Sequence, residues 1–206
     1  MVRYYSSFLF AAVMLVGWVG CVDADDETYF EATDELSAPA TAGGGFPVPG
    51  KLVFNEILAN APGTGVAGQF IEIVNVGGLA VALTGWTLTT NAGVRHTFGD
   101  WAAVSAGKSY VVFGSASAIP PELPSYQVAA ASTGSLSFSE GGDTITLRTL
   151  GGNIMATATY PAALAAVDGV SMNCNPDATD TGVRVLHTDI SSLQSSPGRR
   201  VTGVLF

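Results

Sequence analysis

Charged side chains are scarce in this sequence. Asp, Glu, Lys and Arg make up 12% of the 206 residues, roughly half the share usual in soluble domains. Basic residues are the scarcer sign, 8 against 17 acidic, and they form no patch. Nucleic acid is thereby excluded as a partner, because a phosphate backbone needs clustered Lys and Arg. Cysteine is limited to Cys21 and Cys174, and histidine to His96 and His187, so neither a disulfide scaffold nor a zinc-ligand spacing is present. The sequence contains no Gly-x-Ser-x-Gly elbow, no phosphate-binding glycine loop and no Gly-x-Gly-x-x-Gly fingerprint. These absences remove the commonest routes to nucleotide, metal and acyl-transfer chemistry, and no cofactor is expected. No apolar run reaches the roughly 20 residues that a membrane-spanning helix requires.

What is present begins with an address. Residues 1–7 carry one basic side chain, Arg3, and residues 8–20 (FLFAAVMLVGWVG) form an uncharged 13-residue run. That length suits the apolar stretch of a secretory signal peptide. A short buried helix is the other reading, disfavoured because acidic residues follow at once and break any amphipathic continuation. The run closes on Trp18-Val19-Gly20-Cys21. A small residue directly before Cys resembles a bacterial lipobox, in which the signal peptide is removed before the Cys and lipid is attached to it, although Trp18 stands where Leu is usual. The residues predict a lipoprotein signal peptide over 1–20, lipid on Cys21, and a membrane as partner through that anchor, in the cell envelope or at the surface of a bacterium. Cleavage after Ala24, without lipid, is the rival. Lipid on Cys21 would make Cys174 an incidental or partly buried thiol.

Residues 21–50 read as a linker. Most of the formal charge of −9 gathers here, in Asp23, Asp25, Asp26, Glu27, Glu31, Asp34 and Glu35, and residues 37–50 (SAPATAGGGFPVPG) are rich in Ala, Gly and Pro. Neither half has enough large apolar residues to offset the entropy of ordering, so a flexible spacer is predicted. Beyond Lys51 the charge balance is close to neutral.

Residues 51–206 carry no long 3.6-residue period. Short rows of β-branched and aromatic residues are punctuated by Gly, Asn and Pro instead. Strands are predicted at 52–59, 69–75, 86–90, 94–98, 109–113, 144–148, 153–160 and 182–187, with one helical turn near 162–167. About eight to nine short strands over this length give an all-β sandwich.

An ordered set of motifs along this stretch resembles the lamin-tail family. Phe54-Asn55-Glu56-Ile57 is similar to its opening strand, and residues 69–75 (QFIEIVN), with Glu72 and Asn75, to its second. Leu83-Thr84-Gly85-Trp86-Thr87-Leu88 matches its L-x-G-W-x-L segment. The order continues through residues 105–112, Gly142-Asp143, Gly151-Gly152-Asn153, Tyr160 and Asp168-Gly169, and closes on Ser196-Pro197-Gly198. The chain departs from the pattern where Arg199-Arg200 follow. The resemblance implies an immunoglobulin-like β-sandwich with a non-catalytic binding or tethering role, on the type of member found in exported and cell-surface proteins. A protein or a glycan is then the expected partner.

Several residues are candidates for chemistry. Strand alternation places Glu56 on the face of Phe54 and Leu58, and Glu72 on the face of Phe70 and Val74, a carboxylate within each apolar row. Paired carboxylates can perform acid–base work or hold a cation, which gives an alternative reading as an envelope hydrolase or metal-dependent enzyme. The favoured reading has each accept hydrogen bonds from loop amides or pair with Arg95, Arg148 or Arg184. The segment 168–182 offers Asp168, Asn173, Asn175, Asp177 and Asp180 as hard oxygen ligands, a weak calcium loop at most, since Asn-Pro-Asp and Asp-Thr-Gly are ordinary turn formers. Trp86, after Gly85, is expected in the core, whereas Trp101 in its loop is the better candidate for an exposed contact. His96 is expected as a satisfied histidine on a sheet surface, and Arg199-Arg200 as a solvated end. A third possibility for the whole protein is a structural envelope component that packs against copies of itself.

Overall fold

The structure, a computed structural model, describes residues 49–63 and 65–206. The predicted signal peptide, Cys21 and nearly all of the predicted linker lie outside them. Each predicted strand forms, because each row of β-branched and aromatic residues finds a partner row to bury against. In chain order the strands are β1 (Leu52–Leu58), β2 (Phe70–Asn75), β3 (Val81–Ala82), β4 (Thr87–Thr90), β5 (Gly93–Thr97) and β6 (Ala103–Val104). They continue with β7 (Ser109–Phe113), β8 (Val128–Ala130), β9 (Gly142–Arg148), β10 (Ile154–Pro161), β11 (Met172–Asn175) and β12 (Val183–Leu186), and a single turn of helix, α1 (Ala162–Ala165), follows β10. β3, β6, β8 and β11 go beyond the eight expected.

The strands form a six-stranded sheet, β12-β11-β1-β2-β7-β8, packed on a four-stranded sheet, β10-β9-β4-β5, with β3 and β6 as a separate pair. All pairings are antiparallel except β7 with β8. Phe54, Ile57, Ile71, Ile73 and Val112 from the larger sheet meet Leu88, Ile145, Leu147, Ala158 and Tyr160 from the smaller one in a single buried cluster. Each large apolar side chain fully buried there contributes about 1.5–3 kcal/mol. The fold is the all-β, immunoglobulin-like sandwich that the sequence implies.

The six-stranded sheet has a second face, and that face positions the site. Leu58, Phe70, Val111, Phe113 and Leu123 cluster toward one end of it, and Val53, Val74 and Phe206 toward the other. Between these two apolar patches lies a polar strip. The last segment of the chain crosses over it.

Candidate functional site

The strip is created by a break in register. Phe54 pairs with Ile73, but Glu56 pairs with Glu72, so Asn55 is an extra residue in β1. Such a bulge sets two neighbouring residues against one on the partner strand. Asn55 and Glu56 therefore share the outer face opposite Glu72, while Phe54 turns into the core. The alternation expected from the sequence is corrected at this point: Glu56 keeps the company of Leu58 and not of Phe54.

Both carboxylates are fully buried. Glu56 Oε1 accepts from the Ser171 hydroxyl at 2.6 Å and from the Ser196 amide at 2.8 Å, and its Oε2 lies 3.2 Å from the Ser196 hydroxyl. Glu72 Oε1 accepts from Asn55 Nδ2 at 2.9 Å, and its Oε2 from the Gly198 amide at 2.7 Å. Loop amides and hydroxyls hold the pair, as expected, and the predicted arginine partners do not. Arg95 and Arg148 donate to groups on their own hairpins, Thr90 and Ala92 for the first and Gly152 for the second. Arg184 is buried but donates to the carbonyls of Phe54 at 2.8 Å and Asn55 at 3.3 Å, bracing the bulge through its backbone.

The segment that closes the site is Ser196-Pro197-Gly198. The Arg199 amide donates to the Ser196 carbonyl at 2.9 Å, which closes a four-residue turn. Pro197 occupies the second position of that turn and Gly198 the third, with φ +76°, the arrangement that Pro and Gly favour. A Cβ on Gly198 would also lie 2.7 Å from Leu123 Cδ2. The turn aims the amides of Ser196 and Gly198 at two different carboxylates, so one motif caps both.

Burial pushes the Glu56 carboxyl up to about 7, with the Ser171 and Ser196 hydrogen bonds pulling it back. Burial and then the charge of Glu56 drive Glu72 well above the ordinary carboxylate range. Two anions here would repel in a medium of low dielectric, so the pair holds a proton in common near neutrality. Hydrogen-bond geometry selects where it rests. Both oxygens of Glu72 face N–H donors, whereas Glu56 Oε2 faces a hydroxyl that can accept, and that hydroxyl can pass its own hydrogen to the Arg199 carbonyl at 3.3 Å. The proton therefore fits Glu56 Oε2. His187, also fully buried, places Nδ1 3.5 Å from Glu56 Oε1 and is held below its ordinary value by burial.

Chemically, this arrangement latches the chain end onto the sheet. Acid–base work on a substrate would need an open cleft, and the two carboxylates share none. Nor do the expected calcium ligands converge. Asn173 and Asn175 belong to β11. Asp177 accepts from Asn55 at 3.0 Å, Asn173 at 3.3 Å and the Val201 amide at 3.4 Å, with Arg200 at 3.8 Å. Asp180 pairs instead with Lys51 at 2.6 Å. Among the described residues no group of three or more His, Cys, Asp or Glu is placed to hold a metal.

A sequence model of the Lamin Tail Domain family matches residues 47–162, more than half of the chain. The chain belongs to the lamin tail domain family. No curated protein matches it. The lamin tail domain family is one of non-catalytic, immunoglobulin-like modules, and the remaining motif residues of this member act as its fastenings. Asn75 bonds through both ends of its amide: Oδ1 accepts from Lys51 and Gly77, and Nδ2 donates to Leu79 and Val104. Gly85, at φ +75°, forms the turn that delivers Trp86 to the edge of the core. Asp143 Oδ1 takes the amides of Asn91 and Thr144 and so holds the β4–β5 turn against β9. Gly169 donates to the Asn60 carbonyl at 2.9 Å, close to Pro62.

Other residues stand where the sequence did not place them. Cys174 is neither incidental nor partly exposed: it is fully buried in β11 and disulfide-bonded. His96 is buried, not on a sheet surface. Its Nδ1 accepts from the Ser132 amide at 3.2 Å, its ring meets Phe98 edge-on at 4.6 Å, and burial lowers it to about 4. Arg199 and Arg200 are half-buried and not a solvated end, the second lying 4.4 Å over the Phe206 ring. Sequence reasoning missed Gln69, whose side chain clasps Ala59 and Phe138 through three hydrogen bonds, although its place at the head of the second motif was a signal.

Proposed function

We propose that this protein is exported and acts outside the cytosol as a non-enzymatic lamin tail module that binds or tethers at the cell envelope. The disulfide at Cys174 carries the proposal. Disulfides persist in oxidising compartments and are rare in the cytosol, which agrees with the signal-peptide pattern of residues 1–20. The closed carboxylate pair speaks for a binding role over a hydrolytic one, because a substrate would have to displace residues 196–198 to reach it.

The means of attachment turns on one sulfur. The only other cysteine in the sequence is Cys21, which can carry a lipid or complete a disulfide within the chain, not both. The Val-Gly-Cys sequence favours lipid and membrane attachment, and the Cys174 disulfide favours release. Intact mass of the full chain purified from its own cells, with and without reductant, separates them. A mature N-terminus at Cys21 with added acyl mass supports the anchored form. An unacylated chain cleaved on the N-terminal side of Cys21 that gains two hydrogens on reduction supports a released form closed by the disulfide, and one cleaved after Ala24, which removes Cys21, supports release without it. An uncleaved Met1 terminus with two reduced thiols would refute export itself.

A further inference from the structure

The turn between β5 and β6 is built against ordinary preference. The Ala102 amide donates to the Gly99 carbonyl at 3.4 Å, which sets Trp101 at the third position with φ +68°. That position ordinarily takes Gly or Asn. The fold gains nothing from the ring placed there, since Trp101 is 95% exposed. Tyr126 stands on the same cleft at 73% exposure. The cleft has a volume of about 330 Å³, within the range of small-ligand sites.

Its polar lining is built but unspent. Tyr110 lies on the floor at 7% exposure, and its hydroxyl makes no hydrogen bond among the described residues. Burial holds that phenol above its ordinary value, so it keeps its proton and can donate. Asp100 and Ser125 line the same space, and their side chains likewise make no hydrogen bond or ion pair among the described residues. Two accessible aromatic faces thus border a carboxylate, a phenol and a hydroxyl.

We infer that this cleft is a binding site for a neutral carbohydrate. A sugar ring has an apolar C–H face that lies flat on an indole or a phenol, and hydroxyls that donate to a carboxylate and exchange hydrogen bonds with Tyr and Ser. No Lys or Arg lines the cleft, and Asp100 repels anions, which disfavours nucleotides, phosphorylated lipids and uronic acid polymers. An apolar protein surface would bury Asp100 without a counter-charge, a costly outcome. The inference rests on the proposed role as an exported binding module and names the ligand class of that role.

The test is affinity electrophoresis of the full chain in native gels containing galactomannan, arabinoxylan, hydroxyethyl cellulose or dextran, with polygalacturonate as the charged control. At least one neutral gel should retard the protein and polygalacturonate should not. Trp101→Ala should weaken the retardation at least tenfold, and Tyr126→Ala and Tyr110→Phe should weaken it severalfold. Urea midpoints should not move for the two alanine variants, because both rings are exposed. Migration unaltered by all four neutral polymers would overturn the inference, as would full retardation of the Trp101→Ala, Tyr126→Ala double variant. Choline chloride quenching Trp101 fluorescence while every polysaccharide fails would also overturn it, in favour of a cation site. Cell fractionation keeps the two ideas distinct: a double variant still exported normally confines any failure to the cleft.

Discussion

Replacing Glu56 by Gln tests whether the latch holds a proton. Gln reproduces the protonated acid at this position: its oxygen can accept from Ser171 and Ser196, and its amide can donate to the Ser196 hydroxyl. What it removes is the titration of Glu56, while Glu72 stays buried and titrates in both proteins. Folding raises the Glu56 carboxyl from 4.5 to about 7, so the folded state binds the extra proton between those values. The resulting stabilisation is complete below about pH 4.5 and is lost as the pH climbs through about 7. A shift of that size gives wild type roughly 2–3 kcal/mol more stability at pH 5 than at pH 8, from this group alone. The wild-type curve by itself will conceal much of this. Burial lowers His96 from 6.5 to about 4, and the stability it contributes is present above 6.5 and lost as the pH falls through about 4, the opposite slope over the same window. His96 is common to both proteins and cancels in the difference. Urea unfolding followed by tryptophan fluorescence at pH 5 and pH 8 should therefore show wild type losing roughly 2–3 kcal/mol relative to Glu56→Gln at the higher pH, or about 5–10 °C in thermal midpoint. Parallel pH profiles for the two proteins, within about 0.5 kcal/mol of one another, would refute the buried, protonated pair.

Two further substitutions probe the same construction. Gly198→Ala should cost about 1–3 kcal/mol in urea unfolding, because the residue sits at φ +76° and its Cβ would crowd Leu123; a midpoint equal to wild type would mean that the turn is not held as described. Arg184→Met should cost about 2–4 kcal/mol by thermal unfolding, since the carbonyls of Phe54 and Asn55 would lose their buried donor at the bulge, and a change below about 1 kcal/mol would remove Arg184 from the support of β1.

The sequence made the sheet visible wherever side chains alternate and turn formers bracket them. Residues 69–75 and 109–113 declare themselves in this way, and both are strands. β11 stayed hidden because Met-Asn-Cys-Asn followed by Pro and Asp has the composition of a turn, and its strand character comes from pairing between β1 and β12, a tertiary effect. β8 is three residues of Val and Ala, too short to show a period. The carboxylates were legible as an anomaly, two acids in apolar rows, and so was the face of Glu72, but the face of Glu56 was not. Alternation assumes an unbroken register, and the extra Asn55 breaks it. The family motifs included Ser196-Pro197-Gly198 without showing what it does. Only the folded chain brings that turn, more than 120 residues along, onto Glu56 and Glu72.

That separation sets an order of events. Glu56 waits for groups 115 and 140 residues downstream, and Glu72 for one 126 residues away. As the chain emerges from its N-terminus, both acids face water and stay charged, and the strip between the two apolar patches remains uncovered. The sheet can assemble, but it is not sealed until almost the last residues arrive. Contacts so distant in sequence also form slowly. A lock whose two halves lie so far apart in the chain shuts only once residues 196–198 have reached the sheet.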